Sequence, residues 1–97
     1  MGIAVGQTVN ANLFRGAEAV GGKLTFEETE MVFESHALNI QRGRTAIPYS
    51  EITDIQERRT LGLVPNGITV VLRNGCEHRL VVNKRKDIIA FLRSRIG

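Results

Sequence analysis

ITVVLRNGCEHRLVVNKRKDIIAFLRSRIG (68–97) changes its hydrophobic period once, and that change decides the fold. Up to Val82 the period is two. Ile68, Val70 and Leu72 alternate with Thr69, Val71 and Arg73, and Leu80 and Val82 continue the same face beyond Asn74-Gly75. Asn-Gly tolerates positive φ at both centres of a type I′ turn, so the stretch is predicted to be a β-hairpin. From Asn83 onward the period lengthens. Ile88, Ile89, Leu92 and Ile96 recur at spacings of three and four, with Phe91 at the border of the stripe. Asn83 is the expected N-cap, which puts a helix at about 84–96. A helix this short is marginal alone, so its stripe needs a surface to dock on.

The residues upstream supply that surface. GGKLTFEETEMVFE (21–34) predicts a second hairpin, with Leu24 and Phe26 sharing one face, Met31 and Phe33 another, and Glu27–Glu30 as the turn. QTVNANLFRG (7–16) supplies a strand before it. RTAIPYS (44–50) and EITDIQER (51–58) read as short strands broken near Pro48, whose missing N–H belongs at a strand end or edge. TLGLVPNG (60–67) reads as a loop, punctuated by Pro65 and Asn66-Gly67. Gly21-Gly22 is expected to make a bulge or tight bend. The sum is about seven antiparallel strands and one terminal helix. The expected fold is mainly β: a bent sheet or partly open barrel whose mouth the helix caps, an architecture of the pleckstrin-homology-like kind. One domain spans 1–97, with residues 1–8 expected to be loose.

Composition agrees with a folded domain. Of 97 residues, 42% are hydrophobic and 24% charged, which argues against disorder. The lone Cys76 excludes an internal disulfide and fits a reducing cytoplasm. No apolar run approaches the roughly 20 residues of a membrane span. The opening MGIAVGQTVNANLF lacks the basic start of a signal peptide, and Gly6 stands where myristoylation requires Ser or Thr. Any membrane contact is therefore expected to be peripheral, at the inner face. Net charge is +3, unevenly spread: residues 1–50 hold four basic and five acidic side chains, residues 51–97 nine and five. Such asymmetry suits an anionic partner.

Five blocks, ANLFRGAEAVGGKLTF (11–26), MVFESHALNIQ (31–41), IPYSEITDI (47–55), TLGLVPNGI (60–68) and VVNKRKDII (81–89), resemble the GRAM domains, a branch of the pleckstrin-homology superfamily, in particular the small bacterial ones. The resemblance implies a non-catalytic module that binds lipid headgroups or protein segments and needs no cofactor. It also implies that the terminal helix caps one end while ligand loops gather at the other. Those loops are RGAEAVGG (15–22) and HALNIQRG (36–43). Arg15, Lys23, Arg42 and Arg44 lie in or beside them and are the expected anion- and lipid-binding set, since phosphates want convergent charge and bidentate donors. Phosphoinositide-binding relatives place a Lys on the first strand and a basic-x-Arg pair shortly after it on the second. Here Lys23 is followed only much later by Arg42-Gly43-Arg44. The expectation is therefore weak, charge-driven attraction to anionic lipid, at about 1 kcal/mol per well-placed basic residue.

Lys84, Arg85 and Lys86 form a second candidate cluster. In a first helical turn they oppose the helix dipole, at roughly 0.3–1 kcal/mol each. An anion held there would relieve the conflict. The favoured reading is a solvated helix start, the long stems packing while the heads stay wet. Leu61, Leu63 and Val64 are candidates for a protein-binding patch if exposed, or satellite core if folded back. The strand through Glu57 is a candidate sheet edge for an added peptide strand. GAEAVGGKL fails as a phosphate loop, because Gly22 stands where Lys is needed and Leu24 where Ser or Thr is needed. His36, His78 and Cys76 do not complete a metal site, and no Ser or Cys has a base with an orienting third group. Nucleic acid is disfavoured: Arg58, Arg59, Arg73 and Arg79 could add charge, but aromatics for stacking are scarce.

Overall fold

Alternating burial runs through the computed structural model, which describes residues 2–36, 44–60 and 64–96. Seven strands form: β1 (Thr8–Arg15), β2 (Glu18–Phe26), β3 (Glu30–Ser35), β4 (Arg44–Pro48), β5 (Ile52–Thr60), β6 (Val64–Leu72) and β7 (Glu77–Val82). A single 3-10 turn, Tyr49–Glu51, joins β4 to β5, and the helix α1 spans Arg85–Arg95. All neighbours are antiparallel, in the order β4-β3-β2-β1-β7-β6-β5. The fold is thus mainly β, a curled seven-stranded half-barrel followed by one helix.

The inner face is continuous. Ala11 and Leu13 of β1, Leu24 and Phe26 of β2, Met31 and Phe33 of β3, Ile68 and Val70 of β6, and Leu80 and Val82 of β7 are all buried. α1 docks on them through Ile88, Ile89, Phe91 and Leu92. Burying side chains of this size contributes roughly 1.5–3 kcal/mol each, far more than the helix's own propensity. The Phe91 ring meets Phe26 edge-to-face at 5.3 Å and Tyr49 at 5.7 Å between centroids. Tyr49 in turn donates its hydroxyl to the Glu27 carbonyl at 2.8 Å. Burial pushes its pKa up to about 12, against a partial lowering by Arg95.

The helix also closes the sheet's open side. β5 is an edge strand, as its sequence suggested. Two of its carbonyls accept bonds from helix arginines: Arg58 from Arg85 Nη1 at 2.8 Å and Ile55 from Arg93 Nη2 at 3.4 Å. Arg85 further pairs with Glu57 at 3.3 Å. Asp54 Oδ1 accepts the Ile55 N–H at 2.9 Å.

Several expectations are corrected. Asn83 is not the N-cap. β7 stays paired to Val82, opposite Ala11, and the chain then reverses through Lys84, at φ 57°, which caps α1 without a side-chain bond. A left-handed lysine is strained by its Cβ. Lys84→Gly is therefore expected to stabilise the fold by about 0.5–1 kcal/mol, seen as a melting temperature a few degrees higher. The β6–β7 turn is not type I′. Of its residues only Gly75 has positive φ, 89°; Gly75 N–H bonds the Leu72 carbonyl and Leu72 N–H the Cys76 carbonyl, both at 2.9 Å. That is a three-residue loop ending in a left-handed glycine.

Gly21 and Gly22 make no bulge either, because β1 and β2 pair without a register shift from Thr8↔Thr25 to Arg15↔Glu18. The expected 15–22 loop shrinks to Gly16 and Ala17 between β1 and β2. Residues 64–67, expected in a loop, belong to β6, and Pro65 falls at the register shift between Arg58 and Thr60, where a residue without an N–H is tolerated. Near the N-terminus Ile3 packs on the core and Gly6 N–H bonds the Phe26 carbonyl at 2.6 Å.

Candidate functional site

Of the sequence-selected basic residues that are described, Arg15 lies on one face of the sheet and Lys23 and Arg44 on the other. Arg15 shares the inner face with Leu13 and bonds Thr45 Oγ1 at 3.3 Å across the curl. His78, on the inner face of β7 beside it, has its pKa lowered by burial and then by the Arg15 charge. Lys23 lies on the outer face, with Nζ on Asn10 Oδ1 at 3.2 Å. Arg44 is also outside, 4.0 Å from the Glu34 carboxylate that lies opposite it on β3. Arg42 lies outside the described residues, as do Leu61 and Leu63.

The helix cluster divides as well. Arg85 is half-buried and ties α1 to β5 and β6. Lys86 is exposed, and Lys84 turns toward a shallow hollow that it lines with Lys23, Asn10 and Asn83. Val64 is 47% exposed at the start of β6.

A different set does converge, on the outer face of β5, β6, β7 and β1. A groove of about 530 Å3 is lined there by Phe14, Arg58, Arg59, Thr69, Glu77 and Arg79, among others. Register explains the assembly. Thr69 lies opposite Gln56 on one side and Arg79 on the other, and Phe14 is the outward neighbour of buried Leu13. Arg58 lies over Thr69, its Nε 3.4 Å from Oγ1, while its Nη2 donates to Gln56 Oε1 at 2.6 Å. Gln56 is itself oriented by Asp54 Oδ2 at 3.2 Å. Arg79 rests its guanidinium 4.9 Å above the Phe14 ring. Gly67 keeps the floor open, since a Cβ there would come 2.9 Å from Arg58 Cβ.

The groove is therefore basic and pre-arranged. Arg85, Arg93, Arg95 and Arg73 each bond a backbone carbonyl. Among the described residues Arg58, Arg59 and Arg79 do not, and none of the three has a carboxylate within 4.0 Å. Two planar forks fixed by side chains, not by counter-ions, are poised to accept phosphate or carboxylate. Charge counting found these arginines as a class but gave no way to sort them. Only the pairing of β5, β6, β7 and β1 does so.

Among the described residues no group of three or more His, Cys, Asp or Glu comes together that could hold a metal ion, and no helix is long and apolar enough to cross a membrane. No family model matches the sequence, and no curated protein matches it. Among solved structures the chain is similar to the C-terminal domain of an unknown protein from Leishmania infantum, with a TM-score of 0.79 and 20% identity over 95% of this chain and 83% of that one. At that identity the likeness is one of fold.

Proposed function

We propose that the chain is a non-catalytic module that attaches peripherally to anionic lipid headgroups, with its seat in the outer groove. The observation that carries this is the gathering of Arg58, Arg59 and Arg79 around one groove, none of them with a carboxylate within 4.0 Å among the described residues. The exposed Val64 starts the strand whose Gly67 lies opposite Arg58, so an apolar side chain stands near the basic groove. The connection before it carries Leu61 and Leu63 in sequence. A basic patch beside apolar residues suits shallow contact with a charged bilayer. The strand count, the terminal helix and the sequence blocks support reading the scaffold as pleckstrin-homology-like, of GRAM type.

Vesicle co-sedimentation tests the proposal. Arg58→Ala with Arg79→Ala is expected to weaken binding to anionic vesicles about 30-fold, at about 1 kcal/mol for each basic residue removed. Binding by the unaltered protein should also fall as salt rises to physiological strength. Arg44→Ala, whose residue already faces Glu34, should change little. Vesicle binding that ignores both salt and the double substitution would sink the proposal. Salt-insensitive association lost on altering Val64 would favour a protein-interaction module instead.

A further inference from the structure

Arg79 has a carboxylate close by on its own strand and does not use it. Glu77 lies two residues away on the same outer face of β7 and lines the same groove. Yet the Arg79 head rests on Phe14, and among the described residues no cation stands within 4.0 Å of Glu77. In a groove that only gathered anions, this carboxylate would work against the three arginines, because like charges repel across the same short distance that unlike charges attract. Its presence makes sense for a ligand carrying both signs.

We propose that the groove recognises a phosphorylated primary amine, with the phosphate between Arg58 and Arg79 and the ammonium on Glu77. Thr69, bonded to Arg58 and opposite Arg79 in the ladder, marks the proposed phosphate position, with the Arg79 guanidinium lying beyond it over Phe14. Glu77 lies opposite Val71, two residues along the ladder, which is about 7 Å at the usual strand rise. A two-carbon spacer between phosphate and amine, with each group in contact with its partner, covers that span. The remaining fork, Arg59, suits a further carboxylate. Resting on the lipid reading above, this makes the ligand an aminophospholipid headgroup, phosphatidylserine above all.

The test compares two vesicle types of equal formal charge, one containing phosphatidylserine and one phosphatidylglycerol, against the full chain and Glu77→Gln. The unaltered protein should prefer phosphatidylserine about five-fold, the worth of one exposed charge pair at contact. Glu77→Gln should abolish the preference, weakening phosphatidylserine binding and strengthening phosphatidylglycerol binding, with the same melting temperature. No preference in the unaltered protein, or a preference that survives Glu77→Gln, overturns the assignment while leaving the arginine groove intact. If Arg58→Ala with Arg79→Ala leaves binding to both vesicles untouched, the groove reading itself fails. Titration with soluble O-phosphoserine separates the sources: saturation by it without vesicle binding would overturn the membrane ligand.

Discussion

Phe91→Ala is expected to remove about 4 kcal/mol of stability, the usual cost of emptying a buried aromatic site. The ring is 8% exposed and stands between Phe26 and Tyr49, edge-on to both. Each such pair adds about 0.5–1.5 kcal/mol beyond area burial. A domain of this size holds about 5–10 kcal/mol in total, so the loss leaves it marginal. Urea unfolding should show it directly. Thermal unfolding should show a midpoint lower by about 20 °C, since 1 kcal/mol is worth about 4–8 °C in a domain this small. Phe91→Leu, which keeps the burial and loses the ring pairs, should cost only about 1–2 kcal/mol. A loss below about 1 kcal/mol for Phe91→Ala would mean that α1 is not docked, and the half-barrel would then have an open core.

The features that were legible in the sequence share a property: they are inner-face features. Leu24, Phe26, Met31 and Phe33 alternate because one side of a strand meets the core, and Ile88, Ile89 and Leu92 recur because one side of a helix does. Both are one-dimensional patterns. The groove is not. Phe14, Arg58 and Arg79 come from three strands, and only the registers Gln56↔Thr69 and Thr69↔Arg79, with Leu13↔Leu80 beside Phe14, bring them together. That Arg15 and Lys23 do not share a face was readable in advance. Arg15 is two residues from inward Leu13, whereas Lys23 adjoins inward Leu24, so the two had to face opposite ways. Asn74-Gly75 misled for another reason. The dipeptide suits both a two-residue and a three-residue turn, and the pairing of Val71 with Glu77 selects the longer one. At the start of α1, cap propensity favoured Asn83, but pairing of β7 out to Val82 leaves Asn83 exposed and moves the reversal to Lys84.

Gly22→Ala is expected to cost about 3 kcal/mol or more, as forced overpacking does at its upper end. The reason is not a special backbone angle. Gly22 sits in a regularly paired stretch of β2, opposite Ala11 and Ser35, and is absent from the positive-φ glycines. What it lacks room for is a Cβ. An added one would run into the Glu34 carbonyl oxygen and lie 2.7 Å from Phe33 Cζ. Neither can yield cheaply, since one belongs to the β3 backbone and the other to a ring that is 1% exposed. Relief requires β2 and β3 to separate. Gly21→Ala is the matched control. Its Cβ would face outward, 3.1 Å from Asn12 Oδ1 and 3.8 Å from His36 Cδ2, both side-chain atoms that can move, so its cost should stay within about 1 kcal/mol. Urea unfolding of the two variants decides the matter. Equal losses at both positions would show that strand propensity sets the cost, whereas a gap of about 2 kcal/mol assigns it to the close approach of β2 and β3.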